Sequence, residues 1–277
     1  VFQNSTSKNE SLWVQLGDDI IGEASSQSGY TVSLSEDGYT LAISHINLDP
    51  SHVRVYRFRD GLWEKLGDDI YGVSGISTFF GVSTSLSSDG NTIAIGDSKA
   101  SNFKGYVQVY NYSNSSWSKV GSKIDGISNG DEGGFSISLS DDGNIVAIGS
   151  PQNDSNGDKS GHIRIFKNTS GTWTQVGDAI LGDSSKDYFG YSVSLSNDGN
   201  TLAAGSPYGD EGEASWCNPC TDAGYVKIFK NVDDVWTEVW SKIKGKSQND
   251  RSGWHISLNG DGKIFTVGVP GGASETG

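Results

Sequence analysis

One short motif occurs five times along the chain: Ser-Leu-Ser-x-Asp-Gly, followed by a short apolar run and a glycine, with the fifth copy degenerate at its third position. Its Asp-Gly pairs begin at Asp37, Asp89, Asp142, Asp198 and Asp261, so the spacings are 52, 53, 56 and 63 residues. A fixed-period repeat constrains the architecture strongly, because each copy must be one supersecondary unit that stacks on its neighbours. A period above 50 residues is too long for a helical hairpin and suits a four-stranded sheet.

The copy at residues 187–249 shows what each repeat contains. Residues 189–195 alternate in the manner of a strand, and Asp198-Gly199 then predicts a hairpin turn, because glycine adopts the positive φ that such turns need. Residues 201–205 form a small apolar run typical of a buried strand, and residues 224–229 and 235–239 predict two more strands. No segment shows a sustained helical period, so we expect essentially no helix.

A tryptophan follows the same period, at the start of each predicted fourth strand. The five are Trp13, Trp63, Trp117, Trp173 and Trp236. An indole retained on the outer strand of every copy predicts packing between neighbouring repeats, against the third strand of its own repeat, for example Trp173 on Ile165. The alternative is that the five indoles are exposed platforms for a ligand.

The sequence therefore predicts an all-β fold, a β-propeller of four-stranded antiparallel blades that occupies residues 1–277 as one domain. The repeats span about 28–77, 78–132, 133–186 and 187–249. Residues 250–277 supply a first and second strand, and residues 1–27 supply the end of a third strand and a fourth. We expect these two halves to join as one composite blade, which gives five blades and leaves no sheet edge exposed. A segment of a longer array, for example of seven blades, is the alternative.

The repeat resembles the FG-GAP family of β-propellers, found in the heads of integrin α-subunits and in many secreted proteins. The motifs that carry the resemblance are Phe-Gly pairs before the first strand and Gly-x-Pro after the second. The pairs are Phe80-Gly81 and Phe189-Gly190, with Phe135-Ser136 and Gly253-Trp254 as variants, and the Gly-x-Pro copies begin at Gly149, Gly205 and Gly268. The resemblance covers almost the whole chain.

The resemblance implies a non-catalytic extracellular scaffold or adhesion module that binds protein or glycan through one propeller face. Two alternatives are a structural subunit of an extracellular filament, which would self-associate, and a propeller-type glycan hydrolase or lyase. Calcium-binding members of the family carry a D-x-D-x-D-G loop between the first two strands, but this chain has only one carboxylate there, as at Asp198. One carboxylate cannot supply the six to eight oxygens that calcium prefers, so we expect no cofactor beyond weakly bound calcium elsewhere.

The acidic composition limits the classes of partner. The formal net charge is −14 and the isoelectric point is about 4.5, which disfavours nucleic acids and anionic membranes by repulsion. No apolar run is long enough to span a membrane as a helix.

Sequons and cysteines favour an extracellular or cell-surface location. The N-x-[ST] sites are Asn4, Asn9, Asn111, Asn114, Asn153 and Asn168, and all but Asn153 lie near the turn between the third and fourth strands. Cys217 and Cys220 lie in Trp-Cys-Asn-Pro-Cys, which is similar to the thioredoxin motif, but a strand follows instead of the helix that thioredoxin chemistry requires. We expect a local disulfide there.

Catalytic residues are not evident, whereas one set of loops could bind a ligand. The predicted innermost strands carry no carboxylate, and the four histidines are scattered, so neither paired acids nor a metal cluster is predicted. The loops between the second and third strands and before the first strand share one face and combine acids with aromatics. The predicted ligand-binding residues are Tyr188, Tyr208, Asp210 and Trp216, and the weak cation site is Asp154, Asn156 and Asp158.

Overall fold

The chain folds almost entirely into β-structure, with 47% of residues in strands and 2% in helix. The computed structural model describes residues 1–7, 10–74, 79–210 and 221–271, with the side chains of residues 4–7 and 10–12 left aside. The sequence-based expectation of almost no helix is confirmed. The short helical segment α1 (Ala100–Phe103) is a tight turn in which Ser101 and Asn102 have positive φ. No helix in the described residues is long and apolar enough to cross a membrane.

Four antiparallel sheets, each formed by one sequence repeat, make up most of the structure. Sheet 1 contains β3 (Ser28–Leu34), β4 (Thr40–His45), β5 (His52–Arg59), β6 (Leu62–Lys65) and β7 (Ile70–Tyr71). Sheet 2 contains β8 (Ser83–Leu86), β9 (Thr92–Asp97), β10 (Tyr106–Ser113), β11 (Ser116–Lys119) and β12 (Ile124–Asp125). Sheet 3 contains β13 (Ser136–Leu139), β14 (Ile145–Ser150), β15 (His162–Thr169), β16 (Thr172–Gln175) and β17 (Ile180–Leu181). Sheet 4 contains β18 (Ser192–Leu195), β19 (Thr201–Ser206), β20 (Tyr225–Val232), β21 (Val235–Glu238) and β22 (Ile243–Lys244).

Each sheet has one strand more than the sequence predicted. The first four strands pair in chain order, and a two-residue fifth strand pairs with the start of the third. In sheet 3, for example, β17 pairs with His162 and Ile163, while β16 pairs with residues 166–169 of the same strand. The outer edge of each third strand is therefore covered by two short strands. Two-residue strands give no periodic signal, which is why the sequence did not reveal them.

The repeated Asp-Gly is a side-chain-capped turn. In sheet 4, Ser196 donates its hydroxyl to the Asp198 carboxylate at 2.6 Å, and the Asn200 backbone N–H donates to the same carboxylate oxygen at 3.0 Å. Gly199 has a φ of +70°, which side chains other than glycine seldom adopt. The hydrogen bond from Ser196 is the largest cause that lowers the pKa of Asp198. The carboxylate thus closes a turn within its own repeat.

Tryptophan connects neighbouring sheets. The indole N–H of Trp117 donates to Leu66 O at 2.7 Å, and that of Trp173 donates to Val120 O at 2.9 Å, in both cases a carbonyl of the preceding sheet. The expected packing of Trp173 on Ile165 was wrong. Trp173 joins Phe166 and residues of sheet 2 in one apolar cluster, whereas Ile165 belongs to the next cluster, with Trp236. Successive strand residues face opposite sides of a sheet, so Trp173 and Ile165 serve different boundaries.

The inner strands are connected by a second repeated set of hydrogen bonds. The backbone N–H of Leu139 donates to Ser85 Oγ of sheet 2 at 3.0 Å, and the backbone N–H of Leu195 donates in the same way to Ser138 Oγ of sheet 3 at 2.9 Å. The motif serines therefore join each sheet to the one before it. This explains why Ser alternates with Leu in the repeated motif.

The terminal segments form two hairpins at opposite ends of this series. The N-terminal hairpin is β1 (Phe2–Ser7) with β2 (Glu10–Gln15), and the C-terminal hairpin is β23 (Ile256–Leu258) with β24 (Phe265–Val267). Each is a two-stranded sheet of its own. The first contacts sheet 1, where Trp63 donates to Leu16 O at 2.6 Å, and the second contacts sheet 4, where Leu258 N–H donates to Ser194 Oγ at 3.0 Å. Their union into one blade stays a prediction.

The structure corrects the alignment of one of the Phe-Gly variants, Phe135-Ser136, with the other repeats. Gly81, Gly134, Gly190 and Gly253 occupy equivalent places, each with a φ between +84° and +94°. The residue equivalent to Phe189 is therefore Gly133, and Phe135 follows the conserved turn glycine instead of preceding it. The Phe135-Ser136 variant was thus placed two residues too late, because the aromatic positions directly before and directly after the glycine look alike in sequence.

Candidate functional site

Five inner segments line one cavity of about 560 Å³. They come from the first strands of sheets 1–4 and from the C-terminal hairpin, at residues 30–32, 82–84, 135–137, 191–193 and 254–256. Among the described residues that line this cavity there are aromatic, aliphatic and hydroxyl side chains and one histidine, His255, but no carboxylate. We call this cavity the channel, because the first strands of a propeller-like fold converge on it.

Half-exposed aromatic rings surround one mouth of the channel. Tyr191 contacts Phe135 and Trp254, with 4.9 Å between ring centroids in each pair. Tyr208 lies 5.0 Å from Tyr188 and 6.0 Å from Trp254. Burial raises the pKa of Tyr191 to about 12, so its hydroxyl is neutral at pH 7. We call these five residues the aromatic shelf.

A second cavity of about 290 Å³ opens beside the channel and shares Phe135 and Tyr191 with it. Glu132, Pro151 and Gln152 complete its lining together with the other shelf tyrosines. The two cavities together provide an extended, partly apolar surface with a few polar groups. Binding pockets for small ligands and sugars typically have this character.

The shelf is held in place by a turn that recurs before the first strands of sheets 1, 3 and 4 and before the C-terminal hairpin. In sheet 4, the buried Asp187 carboxylate accepts hydrogen bonds from Ser184 N–H at 3.0 Å and from the Tyr225 hydroxyl at 2.7 Å. The next residue, Tyr188, has a φ of +54°, and Tyr191 N–H donates to its carbonyl at 3.1 Å. A left-handed residue therefore projects one side chain at the channel mouth, and an aromatic follows three residues later.

The acids of these turns are structural. The sequence suggested that they lie on the ligand-binding face, but the carboxyl groups of Asp131, Asp187 and Asp250 are buried. Asp131 accepts Ser128 N–H at 2.7 Å, and Asp250 accepts Ser247 N–H at 2.8 Å. Each carboxylate caps the turn of its own loop, so it is unavailable to an external ligand.

The predicted ligand-binding residues are partly brought together. Tyr188 and Tyr208 are neighbours on the shelf, and Asp210 follows in an exposed position where its carboxylate accepts Asp222 N–H at 3.0 Å. Trp216 lies outside the described residues, as do Cys217 and Cys220. Sequence reasoning missed the contribution of Trp254 and Phe135. Both are aromatic residues directly after the repeated turn glycine, and the sequence alone does not distinguish that position from one in the hydrophobic core.

The predicted cation site is occupied by internal hydrogen bonds. Asp154 Oδ1 accepts Lys159 N–H at 2.8 Å, and Asn156 donates its side-chain amide to Gly182 O at 2.8 Å. Asp158 lies in the same loop, and its backbone carbonyl accepts Lys186 N–H at 2.7 Å. Within the described ranges, no group of three or more acidic, histidine or cysteine side chains could hold a metal ion. Weak calcium binding at this loop therefore gains no support from the geometry.

The sequons differ in accessibility. Asn114 is exposed in the turn after β10, and Asn111 and Asn168 are partly buried on the strands before such turns. Asn153 is only 3% exposed, and its side-chain oxygen accepts Ser155 N–H at 2.9 Å. A glycan at Asn153 does not fit this burial, so that member of the predicted set is corrected. Asn4 lies in β1 with its side chain undescribed, and Asn9 lies outside the described residues.

Sheet 1 contains a buried pair of histidines that the sequence did not single out. His45 and His52 stack with 4.6 Å between ring centroids, and neither ring nitrogen of His45 has a hydrogen-bond partner. Burial lowers the pKa of His45 to about 4. The Asp69 carboxylate lies beside the pair and accepts hydrogen bonds from Nε and Nη2 of Arg54 at 3.1 and 3.0 Å. The group lies in the interior of its sheet and is separate from the aromatic shelf.

Comparisons with known proteins show the fold class. No protein-family model matches the chain, and no curated protein matches it. The solved structures that are similar to it include a protein of unknown function from Desulfotomaculum acetoxidans DSM 771, with a TM-score of 0.58 and 14% identity over 96% of this chain and 68% of that one. Kuenenia stuttgartiensis hydrazine synthase has a TM-score of 0.57 and 16% identity over 86% of this chain and 60% of that one.

A third similar structure is a Bacteroides fragilis protein whose assignment as a 6-phosphogluconolactonase is provisional. Its TM-score is 0.52, with 16% identity over 90% of this chain and 60% of that one. The chain thus spans about 60 to 68% of the length of these proteins. Identities this low carry information on the fold alone. The fold is all-β and propeller-like, built from several antiparallel sheets.

Proposed function

We propose that this chain is a non-catalytic extracellular binding module that recognises a glycan through the aromatic shelf. The observation that carries the proposal is the set of half-exposed rings that border both cavities at one mouth of the channel. The flat faces of tyrosine and tryptophan stack on the apolar faces of sugar rings, while their hydroxyl and indole N–H groups hydrogen-bond at the edge. A protein ligand is the other binding partner compatible with the resemblance to FG-GAP repeats.

The chemistry of the channel favours binding over catalysis. Glycoside hydrolysis generally uses two carboxylates that face one another across the substrate, and the described channel lining contains none. The carboxylates of Asp131, Asp187 and Asp250 accept hydrogen bonds from their own turns, and Glu132 lines the second cavity beside the channel. Among the described residues that line the channel, His255 is the one titratable imidazole, and it is exposed.

The extracellular location rests on two sequence features. The exposed Asn114 is a suitable glycan acceptor, and Cys217 and Cys220 are spaced for a local disulfide. The strand turns that carry Asn111, Asn114 and Asn168 lie at the opposite ends of the strands from the aromatic shelf. Glycans attached there would leave the shelf accessible.

Binding of neutral and charged oligosaccharides on an array, followed by calorimetry with the best ligand, tests the proposal. Tyr208→Ala and Trp254→Ala should each weaken binding roughly fivefold, since loss of one aromatic stacking contact costs on the order of 1 kcal/mol. Trp240→Ala is the matched control, because this exposed indole lies on the outer part of sheet 4. If no glycan binds, or if the control loses as much affinity as the shelf variants, the proposal fails.

We also propose that the two terminal hairpins join into a fifth blade. Leu34 is 46% exposed, whereas the equivalent Leu86, Leu139 and Leu195 are buried. By the repeat, Leu34 N–H would donate to Ser257 Oγ, and Trp13 would donate to Val239 O. Residues 30–32 of sheet 1 and residues 254–256 of the C-terminal hairpin line the same channel, which favours closure within one chain over a filament of copies joined end to end.

Native mass spectrometry distinguishes these two assemblies. A closed ring gives a monomer at every concentration, whereas open ends that pair between copies give oligomers that grow with concentration. Trp13→Ala adds an independent measurement, because Trp13 is 71% exposed in the open arrangement. If this substitution leaves the melting temperature unchanged, the composite blade is not formed.

A further inference from the structure

One cation lies directly on the aromatic shelf. The Arg251 guanidinium carbon is 5.4 Å from the centroid of the Tyr208 ring and 5.8 Å from that of Trp254. Its Nε atom is buried and has no hydrogen-bond partner. Across the described ranges of the chain, Arg251 forms no ion pair. A planar set of donors is therefore held beside the cavities with part of its hydrogen-bonding capacity unused.

Acidic partners are abundant in this chain, which has 34 acidic and 20 basic residues. Arg54, also partly buried, is neutralised by Asp69 and Glu23. Arg164, buried on Phe166, also leaves its Nε atom without a partner, but it donates through Nη2 to Asp125 O at 2.7 Å. A buried guanidinium nitrogen without an acceptor is costly, because it has lost water without gaining a partner. A ligand that brought its own acceptors would remove that cost.

The fold does not require arginine at this position. The turn that precedes the first strands at the channel mouth, which we call the mouth turn, contains one left-handed residue. In the C-terminal hairpin this residue is Arg251, with a φ of +55°. Its backbone N–H donates to Asp222 O at 3.0 Å, and its carbonyl accepts Trp254 N–H at 3.2 Å. The equivalent residues of the other repeats include Gln27, Glu132 and Tyr188. The turn is therefore made by backbone bonds, and the side chain is free to serve another purpose.

Both acids and cations lie around the shelf. Glu132 lines the second cavity, and Asp210 and Asp222 lie in the adjoining loop, where the Asp210 carboxylate accepts Asp222 N–H. Lys159 lies at the other end of the shelf, with its Nζ atom 5.8 Å from the Tyr188 ring centroid. Two cations thus flank the tyrosines of an otherwise acidic protein.

From these contacts we infer that the aromatic shelf is a subsite for a carboxylate-bearing sugar, a uronate unit of an acidic polysaccharide. The planar Arg251 guanidinium pairs with the sugar carboxylate through parallel N–H donors, and Tyr208 and Trp254 stack on the ring. Lys159 lies where it attracts the carboxylate of a neighbouring unit. The inference rests on the proposed glycan-binding function and specifies its ligand class.

Calorimetry with two forms of one polymer tests the charge requirement. The probes are oligogalacturonate and the same oligosaccharides with their carboxylates methyl-esterified, which keeps the rings and removes the charge. The acid form should bind roughly 10- to 100-fold tighter to the unmodified protein, as expected for one charge-assisted pair. Arg251→Gln should abolish this preference, and Arg251→Lys should retain only part of it. Lys119→Gln, on the exposed outer strand β11, is the matched charge control and should change nothing.

The outcomes separate this inference from the proposed function. If both forms bind equally, or if Arg251→Gln keeps the preference, the uronate subsite is refuted while glycan binding stands. If neither form binds and neutral sugars also fail, the proposed function itself fails. A poly-glutamate peptide that binds more tightly than oligogalacturonate overturns the inference in favour of an acidic protein partner. Thermal melting of each variant verifies that the shelf is still folded.

Discussion

Replacing Trp173 by alanine tests whether the repeated tryptophans hold the sheets together. Trp173 is partly buried in a cluster with Phe166 and residues of sheet 2, and its indole N–H donates to Val120 O at 2.9 Å. Removing a fully buried tryptophan costs about 3–5 kcal/mol. Because this indole keeps some exposure, we expect its contacts and its hydrogen bond together to contribute about 2–4 kcal/mol.

A second substitution separates the two contributions. Trp173→Phe keeps an aromatic ring in the cluster but removes the N–H donor, so the cost should be about 1–1.5 kcal/mol. Urea unfolding followed by circular dichroism measures both free energies of unfolding, with Val232→Ala, at an exposed apolar side chain of the outer hairpin of sheet 4, as the control. The alanine variant should be clearly less stable than the phenylalanine variant, and the control should be within about 0.5 kcal/mol of the unmodified protein.

The opposite result would identify the tryptophans as a ligand platform. If Trp173→Ala changes the free energy of unfolding by less than about 0.5 kcal/mol but abolishes glycan binding, the packing argument is refuted. Glycan affinity should instead be unaffected by this substitution, because Trp173 lies on the outer strand of its sheet and the aromatic shelf borders the channel.

Three further predictions concern protons, glycans and cysteines. The folded protein binds a proton at His45 only near pH 4, against 6.5 for an ordinary histidine, so the free energy of unfolding should fall by roughly 1–2 kcal/mol between pH 7 and pH 5. In urea titrations, His45→Gln should lose this part of the pH dependence of the free energy of unfolding. An unchanged pH dependence would contradict the buried neutral imidazole. Native material should carry glycan on Asn114 or Asn168, and peptide masses of the bare chain at both sites would count against secretion. Alkylation without reductant should leave Cys217 and Cys220 unmodified, and their double serine variant should still bind glycan; free thiols would refute the disulfide.

The sequence predicted the sheets well because the repeat carries that information redundantly. Five Asp-Gly turns position two strands each, and the tryptophans position the fourth strand, so an error in one copy is corrected by the others. The two-residue fifth strands escaped prediction, since their pairing depends on where the chain returns after the fourth strand. That return is set by contacts such as Gly182 N–H with Gly161 O at 2.9 Å, which no local pattern reveals.

The candidate site was harder to predict because its residues look ordinary in sequence. Tyr188 and Tyr208 were found as aromatics in acidic loops, but Trp254 occupies a place where other repeats have Val82 or Phe135. Only the spatial arrangement shows that these positions converge on one channel mouth. The acids were misjudged for a related reason: Asp187 and its equivalents resemble ligand-face carboxylates until their hydrogen bonds to their own turns are seen.

The departures from the repeat carry more information about function than the repeat itself. Positions that build the fold, such as the motif serines that join neighbouring inner strands, are nearly invariant between sheets. The left-handed position of the mouth turn instead varies among glutamine, glutamate, tyrosine and arginine, although the backbone there is the same. Equal backbone geometry with unequal side chains means that packing does not dictate the residue. Under the proposed function, Tyr188 and Arg251 are the members of this set that contact the ligand, on the side of the channel formed by sheet 4 and the C-terminal hairpin.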